Sequence, residues 1–352
     1  MKQRHSTPDA GISHETDYTR EAQTHRRRFD CAFDPGVLSA WRGQVSNAAR
    51  IPRLQQQLSN KMYRKEHATM KKPILLTVVA AFGLLSVMVS VPVRQAHAQG
   101  NTSKDFVPPI VFQAAGPTVE SIQGTVDAFR AALGEPDNAN GGPSASGRRE
   151  INWDGGGNNF TTTDPVTPFN VFLDTRGAQF TTLGTGLTQA PPTADPVQFP
   201  PGGLAGLFNN PTYGTIFSTF SPERLFTPVG SNITQAVFFL PGTNGATPAT
   251  VTGFGAVFTD VDQPDGSKKR GHRRASTLLK YFDADGKLLF SSFVPAAPGD
   301  GSLSFFGIVF DDARIAGVRI TSGNVAPGPD DDRKHDIVVM DDFIYGEPQV
   351  LP

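Results

Sequence analysis

TLLKYFDADGKLLFSSFV, residues 277–294, decides the fold. Two short apolar runs, Thr277–Phe282 and Lys287–Val294, flank Asp283-Ala284-Asp285-Gly286. Gly tolerates φ > 0, so Asp-Gly between apolar runs predicts a tight turn and a β-hairpin. The sharper alternative is a calcium loop, because Asp-x-Asp-Gly echoes part of one. Such a loop continues with oxygen ligands and a distant Glu. Here Lys287 follows and no Glu does, so the turn is the expectation.

The same grammar repeats outward. Runs rich in Val, Ile, Phe and Thr, punctuated by Gly, Pro, Asn and Asp, occur at Thr215–Phe220, Thr234–Leu240, Thr250–Phe258, Leu303–Phe310, Arg314–Ile320 and Asp336–Tyr345. Weaker ones lie at Phe169–Leu173 and Gln179–Leu183, in a Pro- and Gly-rich region where Pro191-Pro192 and Pro200-Pro201-Gly202-Gly203 bracket a long loop. Short strands at regular spacing predict an antiparallel sandwich. Helical patterns do not alternate with them, which argues against a parallel α/β sheet. Upstream, Val119, Ile122, Val126, Phe129 and Leu133 recur at helical spacing and predict one amphipathic helix ending near Gly134 and Pro136. Residues 99–118, with Pro108-Pro109 and Gly116-Pro117, read as a linker, 137–147 as loop and 349–352 as a tail. The expected fold class is all-β: an antiparallel β-sandwich (jelly roll) preceded by one short amphipathic helix, over residues 119–348.

Charge divides the chain. Of 352 residues, 32 are Lys or Arg and 33 Asp or Glu, net −1. Residues 1–72 carry net +7 and residues 99–352 net −9. The acidic C-terminal part argues against nucleic-acid binding. The 36 Gly and 29 Pro exclude a coiled coil or helical bundle. Lys71-Lys72, the uncharged stretch Pro73–Val93 and the exit Ala96-His97-Ala98 form a secretory signal peptide over 70–98, with cleavage between Ala98 and Gln99. The alternative is a membrane anchor through 73–93. Residues 1–69 read as disordered. Met70, directly before Lys71, is the expected true start, and the rival is a cytoplasmic tail on an anchored protein. Cys31 is the single cysteine, so the exported part has no disulfide framework, thiolate nucleophile or Cys metal site.

Several motifs carry a resemblance. They are Ile151-Asn152-Trp153-Asp154-Gly155, Phe220-Ser221-Pro222, Thr252-Gly253-Phe254-Gly255 leading to Phe258-Thr259-Asp260-Val261-Asp262, Phe282-Asp283-Ala284-Asp285-Gly286, Phe305-Phe306-Gly307, Arg314-Ile315-Ala316-Gly317-Val318 and Met340-Asp341-Asp342-Phe343. Over residues 119–348 the chain resembles the exported bacterial jelly-roll proteins that often end in PEP-CTERM sorting tails. The resemblance implies a secreted or periplasmic sandwich, similar to galactose-binding-like and carbohydrate-binding modules, which often hold structural calcium. After Gly346 no second apolar segment and no basic tail follow, a departure from the sorting pattern.

Carboxylates are the candidate site residues. In Asp336–Tyr345, alternation puts Asp341 on the face of Val339 and Phe343, and Asp342 on that of Met340 and Ile344. One of them must face inward, where a carboxylate needs a cation, an Arg or backbone N–H groups. Asp260 and Asp262 share a strand face, and with Asp154 they could supply hard oxygen ligands for calcium; the alternative is Asp hydrogen-bonded at strand ends. Trp153 is a candidate sugar-stacking platform, or else core. The basic loop 268–274 could touch an anionic surface, and Asp330-Asp331-Asp332 reads as a solvated loop. For catalysis, His272 and His335 stand in loops, and no nucleophile elbow, zinc helix or phosphate loop occurs. Glu150, Asp154 and Glu223 are the carboxylates a glycosidase could pair. The expected function is an exported non-enzymatic binding module for surface polysaccharide or another extracytoplasmic component. The alternative is a polysaccharide-acting hydrolase. A membrane partner is expected only if the signal segment stays uncleaved.

Overall fold

Adjacent Phe305 and Phe306 point to opposite faces of one strand, as a period of two requires, and both are fully buried. The sheet that contains them is therefore covered on both sides. The computed structural model describes residues 107–155, 161–193, 202–262, 277–329 and 335–351. The signal segment with Ala98 and Gln99, the basic loop 268–274 with His272, and Asp330-Asp331-Asp332 lie outside the described residues. Among the described residues no helix is long and apolar enough to cross a membrane.

The strands are β1 (Ile110–Gly116), β2 (Arg148–Ile151), β3 (Ala178–Thr182), β4 (Gly186–Ala190), β5 (Leu225–Val229), β6 (Ile233–Phe238), β7 (Ala249–Thr250), β8 (Gly253–Thr259), β9 (Leu278–Phe282), β10 (Leu288–Phe293), β11 (Leu303–Val309), β12 (Gly317–Thr321), β13 (Val339–Gly346) and β14 (Gln349–Val350). One sheet runs β1-β11-β8-β13-β5-β4, with β2 also paired to β13; the second runs β10-β9-β12-β6-β3; β7 and β14 pair separately. Every strand pairing is antiparallel. Numbered in turn, β5, β6 and β8 to β13 take the order first-eighth-third-sixth in one sheet and second-seventh-fourth-fifth in the other, the jelly-roll connectivity. The inter-sheet core holds Phe254, Phe258, Tyr281, Phe306, Ile320 and Phe343, with Phe290 packed at its margin.

Helix α1 (Val119–Leu133) lies on the outer face of the first sheet. Its Ile122, Val126, Phe129 and Leu133 pack on Val257, Leu303, Phe305 and Ile344. Two glycines make room for it. Gly255 and Gly307 are register partners on β8 and β11, and a Cβ on Gly307 would stand 2.8 Å from the Phe129 ring. The other end of this face is covered by the short helices α3 (Gly203–Leu207) and α4 (Tyr213–Ile216), where Leu204, Tyr213, Phe217 and Val339 cluster. A further short helix, α2 (Leu173–Arg176), precedes β3.

The hairpin at 283–287 is a turn. Asp283 Oδ1 accepts the N–H groups of Asp285 and Lys287 at 2.9 and 2.8 Å, and Gly286 has φ +69°. Other stretches depart from expectation. The second half of the expected linker is β1, bracketed by Pro108-Pro109 and Gly116-Pro117 and paired along its length with β11. Thr215–Phe220 is not a strand: the Ser218 and Phe220 amides are taken by the side chains of Thr259 and Asp341 rather than by a neighbouring backbone. Of residues 169–173, Phe169 makes a single bridge to Phe180 and Leu173 begins α2, while β4 and β5 arise in segments read as irregular.

The polar loop 137–147 is fastened by a buried ion pair. Arg149 Nε and Nη2 donate to Glu347 at 2.6 and 2.8 Å, and neither side chain is more than 1% exposed. The guanidinium also donates to the carbonyls of Ala139, Gly141, Gly142 and Thr175, while Glu347 accepts from Asn138 and Ser144.

Candidate functional site

Strand β13 carries the decisive irregularity. Its register against β8 shifts between Met340 and Phe343, so Met340 and Phe343 both enter the inter-sheet core. The two residues between them, Asp341 and Asp342, are both buried, at 0% and 4% exposure. Alternation led to the expectation that one of the two faces inward; the bulge, which re-aims side chains by inserting a residue, leaves both buried.

Asp341 is held by backbone. Its Oδ2 accepts the N–H groups of Phe220 and Ser221 at 2.6 and 3.3 Å, and the Ser221 hydroxyl donates to both Asp341 and Asp342. Asp342 faces Arg130 of α1 at 3.7 Å, but that guanidinium is chiefly engaged by Glu150, through contacts of 2.7 to 3.1 Å. Glu150 is also bonded by Arg148. Burial, followed by the Asp342 charge, pushes the Asp341 carboxyl well above the usual carboxylate range, against the pull of the Phe220 amide. Burial also raises Asp342, to about 6; Ser221, Asp341 and Arg130 restrain that rise and Glu150 adds to it.

Asp154, in the loop after β2, grips the same segment further along. Its Oδ1 accepts the Glu223 and Arg224 amides, each at 2.9 Å. Pro222 has no N–H, so every amide from Phe220 to Arg224 is bonded to one of two aspartates. Burial lowers the Arg224 pKa, and the Asp154 charge opposes that.

Trp153 joins the two grips. It is fully buried, has φ +67°, and stacks on Phe226 with ring centroids 3.7 Å apart and planes at 2°. Phe169, Phe172, Phe180 and Phe343 surround it edge-on. Its Nε1 donates to the Asp341 carbonyl at 2.8 Å, and its own carbonyl accepts from Gln189. The sugar-stacking expectation for Trp153 is thereby corrected: a ring covered on all sides offers no face to a ligand.

The gripped segment forms one wall of an open cleft of about 480 Å³. Phe217, Ser218, Thr219 and Glu223 line that side, Gly214 contributes from α4, and Pro191, Pro192 and Thr193 form the facing wall. None of the wall residues except Glu223 was legible as a site residue. Pro191-Pro192 signalled only a loop, and Phe220-Ser221-Pro222 only a motif.

The remaining candidates, Asp260 and Asp262, have partners of their own. Asp260 is buried with φ +69°, and its amide donates to Ser302. Asp262 accepts from Gly299, and its own amide meets Asp336 at 3.4 Å. Among the described residues no three His, Cys, Asp or Glu side chains are grouped so as to hold a metal ion. Asp341 and Asp342 come together, Asp154 holds the same loop, and Asp260 and Asp262 keep separate partners. Scans against protein-family models, curated proteins and solved structures each return no match to the chain.

Proposed function

We propose that the chain is an exported, non-enzymatic binding module that takes an extracytoplasmic polysaccharide in the cleft between Pro191–Thr193 and Phe217–Glu223. The observation that carries this reading is the cleft itself, an open site in which the Glu223 backbone is held by Asp154 and the Ser218 backbone by Thr259. Its lining mixes proline faces with the hydroxyls of Thr193, Ser218 and Thr219 and one carboxylate, Glu223, a combination suited to a sugar's apolar faces and hydroxyl rim. The Glu223 carboxylate on the lining favours neutral or amino sugars over uronic acids.

The hydrolase alternative needs two carboxylates facing one bond. Asp154 and Glu150 are engaged by amides and arginines, and Glu223 is the one carboxylate on the described lining. Export rests on the segment Lys71–Ala98 and places the mature start at Gln99, which N-terminal mass spectrometry of secreted protein checks. Retention on immobilised polysaccharides, with a reducing-sugar assay on the same samples, tests the function. The module should be retained on a neutral glycan, lose retention as Glu223→Gln, and release no reducing ends. Sugar release, or no retention on any glycan, overturns the reading.

A further inference from the structure

We infer that Asp154 and Asp341 are positioning residues that hold Phe217–Glu223 in its ligand-ready shape before any ligand arrives, an inference that rests on the cleft reading above. The two side chains come from neighbouring strands. Asp341 sits in the bulge of β13, and Asp154 follows β2, which pairs with β13 through Phe343 and Ile151. Trp153 bonds the Asp341 carbonyl and immediately precedes Asp154, so one buried ring fixes both grips relative to each other. Through Gln189, the same residue reaches β4, from which Pro191 and Pro192 of the facing wall continue. Both walls are thus referenced to one point in the core.

The first half of the loop is anchored by the buried Phe217 ring and by the Ser218 amide on Thr259; the second half, Phe220 to Arg224, depends on the two aspartates. In that second half the amides face side chains rather than a neighbouring strand, and an amide left without acceptor in a part-buried place is costly. At Asp154 a carboxylate accepting two N–H groups makes charge-assisted bonds, stronger than neutral ones; at Asp341 the same oxygen accepts two amides in a site where burial favours the neutral acid. A loop ordered in advance need not be ordered at the moment of binding, which is how preorganisation raises affinity.

The test is hydrogen exchange on the full chain, with binding of chitohexaose and laminarihexaose measured in parallel. In the wild type the amides of Phe220, Ser221, Glu223 and Arg224 should be protected. Asp154→Ala should speed exchange at Glu223 and Arg224 by about tenfold to a hundredfold, the scale of a charge-assisted bond, and weaken hexasaccharide binding. Asp154→Asn, which keeps an acceptor oxygen, should restore most of both. Asp341→Ala should likewise speed exchange at Phe220 and Ser221, with Asp341→Asn, which keeps an acceptor oxygen, restoring most of the protection; if Asp341→Ala does not fold, Asp154→Ala alone decides the grip. Unprotected amides in the wild type, or exchange unchanged in Asp154→Ala, overturn the grip. Faster exchange with undiminished hexasaccharide binding overturns the positioning role while the cleft reading stands. Protected amides in a wild type that binds neither sugar overturn the cleft reading, and the positioning role with it.

Discussion

At the scale of single residues, the acid pair in β13 sets two expectations. Asp341→Ala leaves the Phe220 and Ser221 amides without their acceptor, which should cost about 1–3 kcal/mol, measured by denaturant unfolding. Asp342 behaves differently, because its folded pKa, about 6, lies above the ordinary carboxylate value of about 3.9. A raised acid pKa means that the fold prefers the protonated form. Its contribution is fully present below the unfolded pKa and is lost as pH climbs through the folded one. Asp342→Asn keeps an acceptor for Ser221 and removes the titration. The melting temperature of Asp342→Asn minus that of wild type should therefore become more positive between pH 4 and pH 7. A difference that stays constant over that range would show that this carboxyl does not titrate there. The presence of inward acid was legible from Met340-Asp341-Asp342-Phe343. Its partners were not, because Phe220 and Glu223 meet Asp341 and Asp154 through topology, and no local pattern encodes which distant amides arrive.

At the scale of elements, the docking of α1 depends on what β8 and β11 leave out. Gly307→Ala would push a methyl into Phe129 and should cost about 1–3 kcal/mol by overpacking. Phe129→Ala should cost about 3–5 kcal/mol. Combined, they should cost less than their sum, since the methyl then enters space the ring has vacated; unfolding of the two singles and the double measures the coupling. The helix face was readable from its spacing, and the runs Thr250–Phe258, Thr277–Phe282, Lys287–Val294 and Leu303–Phe310 from their composition and punctuation; that the first sheet is covered on both faces was not. The ends and the irregular stretches were not. Prolines that looked like linker punctuation mark the limits of β1, and Thr215–Phe220 has strand composition but finds side-chain acceptors instead of a partner strand. Alternation also failed at the bulge, where one extra residue changes which faces the later residues take.

At the scale of the whole molecule, Arg149 and Glu347 connect segments nearly two hundred positions apart. Glu347→Gln leaves the Arg149 charge buried without its counter-ion, and should destabilise by about 3–5 kcal/mol. Thermal melting and protease sensitivity of the 137–147 loop should change together. The general sandwich was legible because punctuated strands predict it, but the closure of the chain on itself was not, because it depends on long-range pairing. That closure has a consequence in time. The central strand of the first sheet is β13, and it bridges β8 to β2 and β5. A growing chain therefore makes both flanks of this sheet long before the strand that unites them. Contacts so far apart in sequence form slowly, and none of them can form before residues 339–346 have been synthesised. Until then the first sheet stays in two pieces, β1-β11-β8 on one side and β4-β5 on the other, with no shared hydrogen-bonded strand between them.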